Sequence, residues 1–174
     1  MTTSTKLMPG TPAPELTVKT VAGKPWNLAN QSPENFTMVV FYRGLHCPIC
    51  KTYLEELEQK LDRFAQIGVE PIAISGDSAE RAKETHSDWD VNALTIGYDF
   101  SIDDMRRWGL YISAGAADKE PDLFGEPALY LICPTGELYY VGLNNAPFAR
   151  PTFDDLLDGL DFILQNDYPT RGAA

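Results

Sequence analysis

Phe41-Tyr42-Arg43-Gly44-Leu45-His46-Cys47-Pro48-Ile49-Cys50 decides both fold and chemistry, because it sets two of the chain's three cysteines as C-x-x-C where a strand hands over to a helix. Upstream, Thr37 to Tyr42 reads as a buried parallel strand, and Pro48 is the residue type favoured at the first position of a helix. Cys47 is therefore expected at a helix N-terminus. Unpaired backbone N–H groups and the positive end of the macrodipole stabilise a thiolate there, and Arg43 and His46 stand ready to add positive charge. Cys50 follows one turn later. This spacing predicts that Cys47 attacks and Cys50 resolves, so that the pair cycles between dithiol and disulfide.

Two blander readings compete: half of a zinc site, or two structural cysteines. Four ligands would require two more Cys or His, and the chain offers only Cys133, His46 and His86 beyond the pair, with no second C-x-x-C. His46 directly precedes Cys47, which suits a tetrahedral site poorly. No metal is expected, and no prosthetic group is called for. Cys133 ends an apolar strand and reads as a small buried hydrophobe, not a third redox centre.

Outward from the motif, apolar residues at three- and four-residue spacing predict a helix from Cys47 to about Ile67, stopped by Gly68. Val69 to Ile74 reads as the next buried strand. Asp77-Ser78-Ala79-Glu80 resembles a capping box with Asp77 as the cap, opening a helix to about Trp89. A short strand at Thr95 to Tyr98 and a short helix from Ser101 through Trp108 follow. The stretch from Ile112 to Glu126 reads as a loop. Ala128 to Cys133 and Glu137 to Gly142 form a hairpin signal around Pro134-Thr135-Gly136, and a last helix runs from Thr152 to about Asp167. Before the motif, a proline-rich lead from Met8 to Pro14 precedes a hairpin of Leu16 to Thr20 and Trp26 to Leu28. Strands alternating with helices argue for an α/β layered sandwich, whose active groups collect at the carboxyl ends of its strands.

Composition narrows the function classes. At 174 residues, 44% of them hydrophobic and with no internal repeat or dividing linker, the chain reads as one domain over 1–174. A formal net charge of -11 with no basic stripe argues against nucleic acid and against anionic membranes. The first ten residues carry no apolar run, and sparse cysteines with a C-x-x-C suit a reducing compartment, so the expected location is the cytoplasm.

The sequence resembles the thioredoxin-like superfamily and, within it, the peroxiredoxin-like AhpC/TSA redoxin group, over about residues 8 to 165. The resemblance rests on the Pro-x-Pro lead and hairpin, on Phe41 to Cys50, on Pro71-Ile72-Ala73-Ile74-Ser75-Gly76-Asp77, and on Glu126-Pro127 before the last hairpin. It implies a three-layer sandwich around a central mixed sheet with an N-terminal hairpin. It also implies that Pro127 is the cis-proline opposite the redox pair, leaving the peptide unit of Glu126 free to bind an extended substrate. Redoxin relatives often dimerise, so a homodimer is allowed for. One part of the pattern is missing: the family usually has a threonine or serine three residues before the attacking cysteine and a proline four before that, and here Gly44 and Val40 stand in those places. Arg43 or Arg150 is then left to supply positive charge.

The first expectation is thus a thiol-disulfide oxidoreductase acting on a protein or small-molecule disulfide and restored by an external thiol reductant. A thiol peroxidase acting on hydrogen peroxide or organic hydroperoxides, and a non-catalytic redox-sensing binding module, are the alternatives. The base that would deprotonate Cys50 is open between His46, Glu126 and water.

Overall fold

The computed structural model describes residues 6–174; residues 1–5, the start of the segment read as free of an apolar leader, lie outside the described residues. The chain forms, in order, strands Thr17–Thr20 (β1), Trp26–Asn27 (β2) and Phe36–Phe41 (β3), helices Pro48–Gln59 (α1) and Leu61–Gln66 (α2), strand Val69–Ile74 (β4) and helix Ala79–Asp88 (α3). Strand Thr95–Tyr98 (β5) and helix Ile102–Arg107 (α4) follow, then strands Ile112–Ala114 (β6), Leu123–Gly125 (β7), Ala128–Ile132 (β8) and Leu138–Leu143 (β9), and helix Phe153–Asn166 (α5). Seven strands make one mixed sheet in the order β2-β1-β5-β4-β3-β8-β9.

β3 lies near its centre and all six of its residues are buried, as an uninterrupted apolar run requires. Its side chains alternate between the two faces. Met38, Val40 and Tyr42 meet Leu54 and Leu57 of α1, Phe64 of α2 and Leu157 of α5 in one core. Val39 and Phe41 meet Leu16, Met105, Trp108 and Tyr130 in the other. Phe41 stacks on Phe100 at 5.3 Å and packs against Trp108 at 5.6 Å. The expected three-layer α/β sandwich with a mixed sheet and an N-terminal hairpin is therefore the fold adopted.

Three local expectations are corrected. The helix after the motif breaks at Lys60, which leaves helical geometry at φ -107, ψ 4 and separates α1 from α2. The supposed loop from Ile112 to Glu126 contains an antiparallel pair, β6 with β7, registered from Ile112 against Gly125 to Ala114 against Leu123. The cap of α3 is Ser78, whose hydroxyl accepts the Arg81 amide, and not Asp77, which is drawn elsewhere.

Parallel pairing of β3 with β4 sends the segments that follow them to the same edge of the sheet. β8 runs antiparallel to β3 with Ala128 opposite Phe41, so Glu126 and Pro127 arrive at that edge too. Ile132 opposes Thr37 at the other end of β3, which leaves Cys133 the length of the strand away from the motif.

Candidate active site

Cys47 is the N-cap of α1, with Pro48 next in the first turn. Its sulfur accepts a hydrogen bond from the Cys50 amide at 3.2 Å, one of the donors a helix start leaves free. The Cys50 thiol also donates to it, and this bond is the largest influence lowering the Cys47 pKa, to about 7. The Cys50 amide, Arg150 and Arg43 help, against the opposing effect of burial. Cys50 moves the other way, because it holds the shared proton and is buried. The two sulfurs thus form an unequal pair: a thiolate-prone Cys47 and a proton-holding Cys50. Both are free thiols, 3% and 0% exposed.

Arg43 follows β3 and forms a two-pronged ion pair with Glu126, Nε to Oε2 at 2.7 Å and a terminal nitrogen to Oε1 at 2.8 Å. The Ser113 hydroxyl donates to the same Oε1 at 2.6 Å, and the guanidinium lies 5.2 Å from the Phe124 ring centre. Arg150 reaches back from the loop before α5. Its guanidinium stacks on Tyr53 of α1 at 3.9 Å, and one terminal nitrogen is 3.5 Å from the Ile49 carbonyl and 3.8 Å from the Cys50 sulfur. Pro48, Ile49, Thr52, Tyr53, Phe148 and Arg150 line a groove of about 490 Å³ beside the pair, with Ile49 and Phe148 largely exposed.

Two expected features differ. Among the described residues there is no cis peptide bond, so the Glu126-Pro127 bond is trans. The Glu126 amide is also not free, because it donates to the Tyr111 carbonyl at 2.8 Å while the Pro127 carbonyl accepts from Asn144. The β6–β7 hairpin therefore occupies the edge that an extended substrate was expected to pair with. His46 packs edge-on against Phe124, 4.9 Å between ring centres, and burial lowers its pKa. It stays largely neutral near pH 7, and the charges acting on Cys47 are the two arginines.

The sequence marks Asp77 as a helix cap and as the end of the strand-turn over 71–77, not as a neighbour of the redox motif. Asp77 is buried, and its carboxylate accepts the Leu45 amide at 2.8 Å and Arg81 Nε at 3.0 Å. Tyr53, Ser113 and Phe124 also went unremarked as neighbours of the site. The pairing of β6 with β7 that brings Ser113 and Phe124 there has no strong local pattern. Among the described residues no three His, Cys, Asp or Glu side chains converge as a metal-binding set. No helix among them is long and apolar enough to cross a membrane.

The AhpC/TSA family model matches residues 9–141, a span that holds the whole C-x-x-C and the strands on either side. The chain belongs to the AhpC/TSA family. As a member of the AhpC/TSA family it is an oxidoreductase that works through thiols. Arg150 lies beyond the AhpC/TSA match. No curated protein matches the chain. Solved structures share the AhpC/TSA fold: a peroxiredoxin-like protein from Aquifex aeolicus superposes with TM-score 0.74 at 21% identity, covering 91% of this chain and 89% of its own. Peroxidoxin BcpB from Mycobacterium tuberculosis gives 0.73 at 15% identity, with 91% and 99% covered. Reduced Prx3 from Vibrio vulnificus, solved in complex with H2O2, gives 0.74 at 14% identity, with 89% and 99% covered.

Proposed function

We propose that this protein is a thiol-disulfide oxidoreductase in which Cys47 is the nucleophile and Cys50 the resolving thiol. The observation that carries the reading is the placement of Cys47 as the N-cap of α1, where its sulfur accepts the Cys50 amide at 3.2 Å. The Cys47 thiolate attacks one sulfur of a substrate disulfide, forming a mixed disulfide and releasing the other sulfur as a thiolate. Cys50 then gives up its proton and attacks Cys47, closing the 47–50 bridge and releasing the second substrate thiol. The substrate gains two electrons and the pair loses two. An external thiol restores the dithiol, in keeping with work in a reducing cytoplasm.

Glu126 does not suit the role of base towards Cys50, because both its oxygens are engaged by Arg43. Neutral His46 and water are left for that role. The exposed Ile49 and Phe148 beside the pair give an apolar landing for the chain around a substrate disulfide.

Oxidation with one equivalent of a disulfide substrate should give a Cys47–Cys50 bridge by mass spectrometry, and Cys47→Ser should abolish turnover. Full activity in that variant would remove the reading. Peroxide reduction is the second reading, favoured by the two guanidinium groups that act on Cys47. In it the thiolate attacks one peroxide oxygen and the O–O bond breaks, giving a Cys47 sulfenic acid and a hydroxide or alkoxide that leaves as water or alcohol; Cys50 then condenses with the sulfenic acid, closing the 47–50 disulfide and expelling a second molecule, water. Gly44 offers no hydroxyl to the breaking O–O bond, so the first reading is preferred. Stopped-flow oxidation by hydrogen peroxide separates the two: a rate no better than that of a free cysteine leaves only disulfide exchange.

A further inference from the structure

Asp77 touches neither cysteine, yet it is fixed from every side. Its carbonyl accepts the Asp99 amide at 2.8 Å and its amide donates to the Ser75 hydroxyl at 3.2 Å. Its side chain is 1% exposed. One carboxylate oxygen takes Arg81, and the other takes a backbone amide, Leu45, in the turn between β3 and Cys47. Gly44 in that turn has φ +136, and a Cβ there would stand 2.7 Å from the Asp77 Oδ1 and 3.0 Å from its Cγ. The Gly44 carbonyl in turn accepts the Cys47 amide at 3.1 Å. Asp77, Leu45, Gly44 and Cys47 are thus linked in sequence by contact and hydrogen bond.

We infer that Asp77 is a positioning residue for the redox pair: its carboxylate pins the Leu45 peptide and fills the space of a side chain at 44. It thereby fixes the turn that aims the Cys47 sulfur at the Cys50 amide. The inference rests on the reading of Cys47 as the nucleophile. A turn free to shift would carry the sulfur away from the Cys50 donors that favour its anion. The opposite sign is expected if Asp77 acted only through its charge, because removing a nearby negative charge would stabilise a thiolate. The direction of the change therefore tells geometry from charge.

The test is the pKa of Cys47 in the reduced protein, read as the pH dependence of its alkylation by iodoacetamide with the labelled peptide identified by mass spectrometry. Asp77→Ala should raise it by about one unit, a roughly tenfold loss of Cys47 alkylation rate at pH 6. Asp77→Asn keeps an oxygen for the Leu45 amide and should leave the pKa at or below that of the parent. An unchanged or lower pKa in Asp77→Ala, or an equal rise in Asp77→Asn, overturns the inference. Should Asp77→Ala not fold, Gly44→Ala tests the same contact from the other side: its Cβ displaces the carboxylate and should also raise the pKa, and no rise overturns the inference. Failure of the nucleophile reading would show separately, as turnover surviving in Cys47→Ser, while the alkylation profile still reports on Asp77.

Discussion

Arg150 shows how one side chain can serve both sulfurs while being held by neither. Its stack on Tyr53 fixes the plane of the guanidinium, and one nitrogen is thereby directed to the Ile49 carbonyl and the Cys50 sulfur. Its charge lowers the pKa of both cysteines. Arg43 acts on the same thiol, but with most of its charge already answered by Glu126. Arg150→Met, which keeps the length and loses the charge, should therefore raise the Cys47 pKa by about half a unit to one unit. Arg150→Lys should recover only part of this, since an ammonium lacks the flat face that stacks on Tyr53. The ultraviolet absorbance of the thiolate followed against pH gives both values, and equal values for parent and Arg150→Met would show that the Arg150 charge does not act on the Cys47 sulfur.

At the scale of elements, the β6–β7 hairpin is tied to the redox motif through Glu126, which sits just past β7 and is buried against Arg43 and Ser113. Removing one member of such a pair strands the other charge, so Glu126→Ala should destabilise the reduced protein by about 2 to 4 kcal/mol. Urea denaturation under reducing conditions measures this, and a cost below about 1 kcal/mol would mean that Arg43 reaches solvent when released. The hairpin was also the element least legible in the sequence. Ile112 to Glu126 is rich in Gly, Ala and acids, and pairing across the turn and contacts with distant residues, Arg43 and His46 among them, hold it in place. By contrast β3, β4 and the closing β8–β9 hairpin were legible because their apolar runs are long and bounded by turn residues. The break at Lys60 carries no Gly or Pro; Lys60 reaches Asp154 of α5 at 2.5 Å, and its amide donates to the Leu57 carbonyl in the last turn of α1. In the site, the C-x-x-C and the neighbouring Arg43 could be read from the end of β3, whereas Arg150, in the loop after β9, was pointed to by the family resemblance alone. The trans geometry at Pro127 and the buried place of Asp77 could not, since each depends on a partner more than thirty residues away or on a neighbouring strand.

For the molecule as a whole, the unequal thiols and buried phenols tie stability to pH with signs that oppose one another. Cys47 has an ordinary value of 9.0 and is held at about 7 in the fold. Between those values the unfolded chain keeps a proton that the fold has released, so stability rises with pH, by at most about 3 kcal/mol. Cys50 is displaced upwards, so above its ordinary 9.0 the unfolded chain loses a proton that the fold retains and stability falls. Burial raises the Tyr42, Tyr53 and Tyr130 phenols above their ordinary 10.0, and these steepen the alkaline fall. His46, lowered by burial, adds a gain as pH rises towards its ordinary 6.5, because there the unfolded chain is the more protonated. Urea denaturation of the reduced protein from pH 6 to 11 should therefore show stability climbing to a maximum near pH 9 and then declining. Cys47→Ser should flatten the climb between pH 7 and 9, since it removes the thiolate and with it the main reason for Cys50 to hold its proton, while the decline above pH 10 persists through the phenols. A parent profile already flat from pH 7 to 9 would mean that the Cys50 donors stabilise the neutral Cys47 thiol as well as its anion, and the attack by Cys47 would then lack its driving charge.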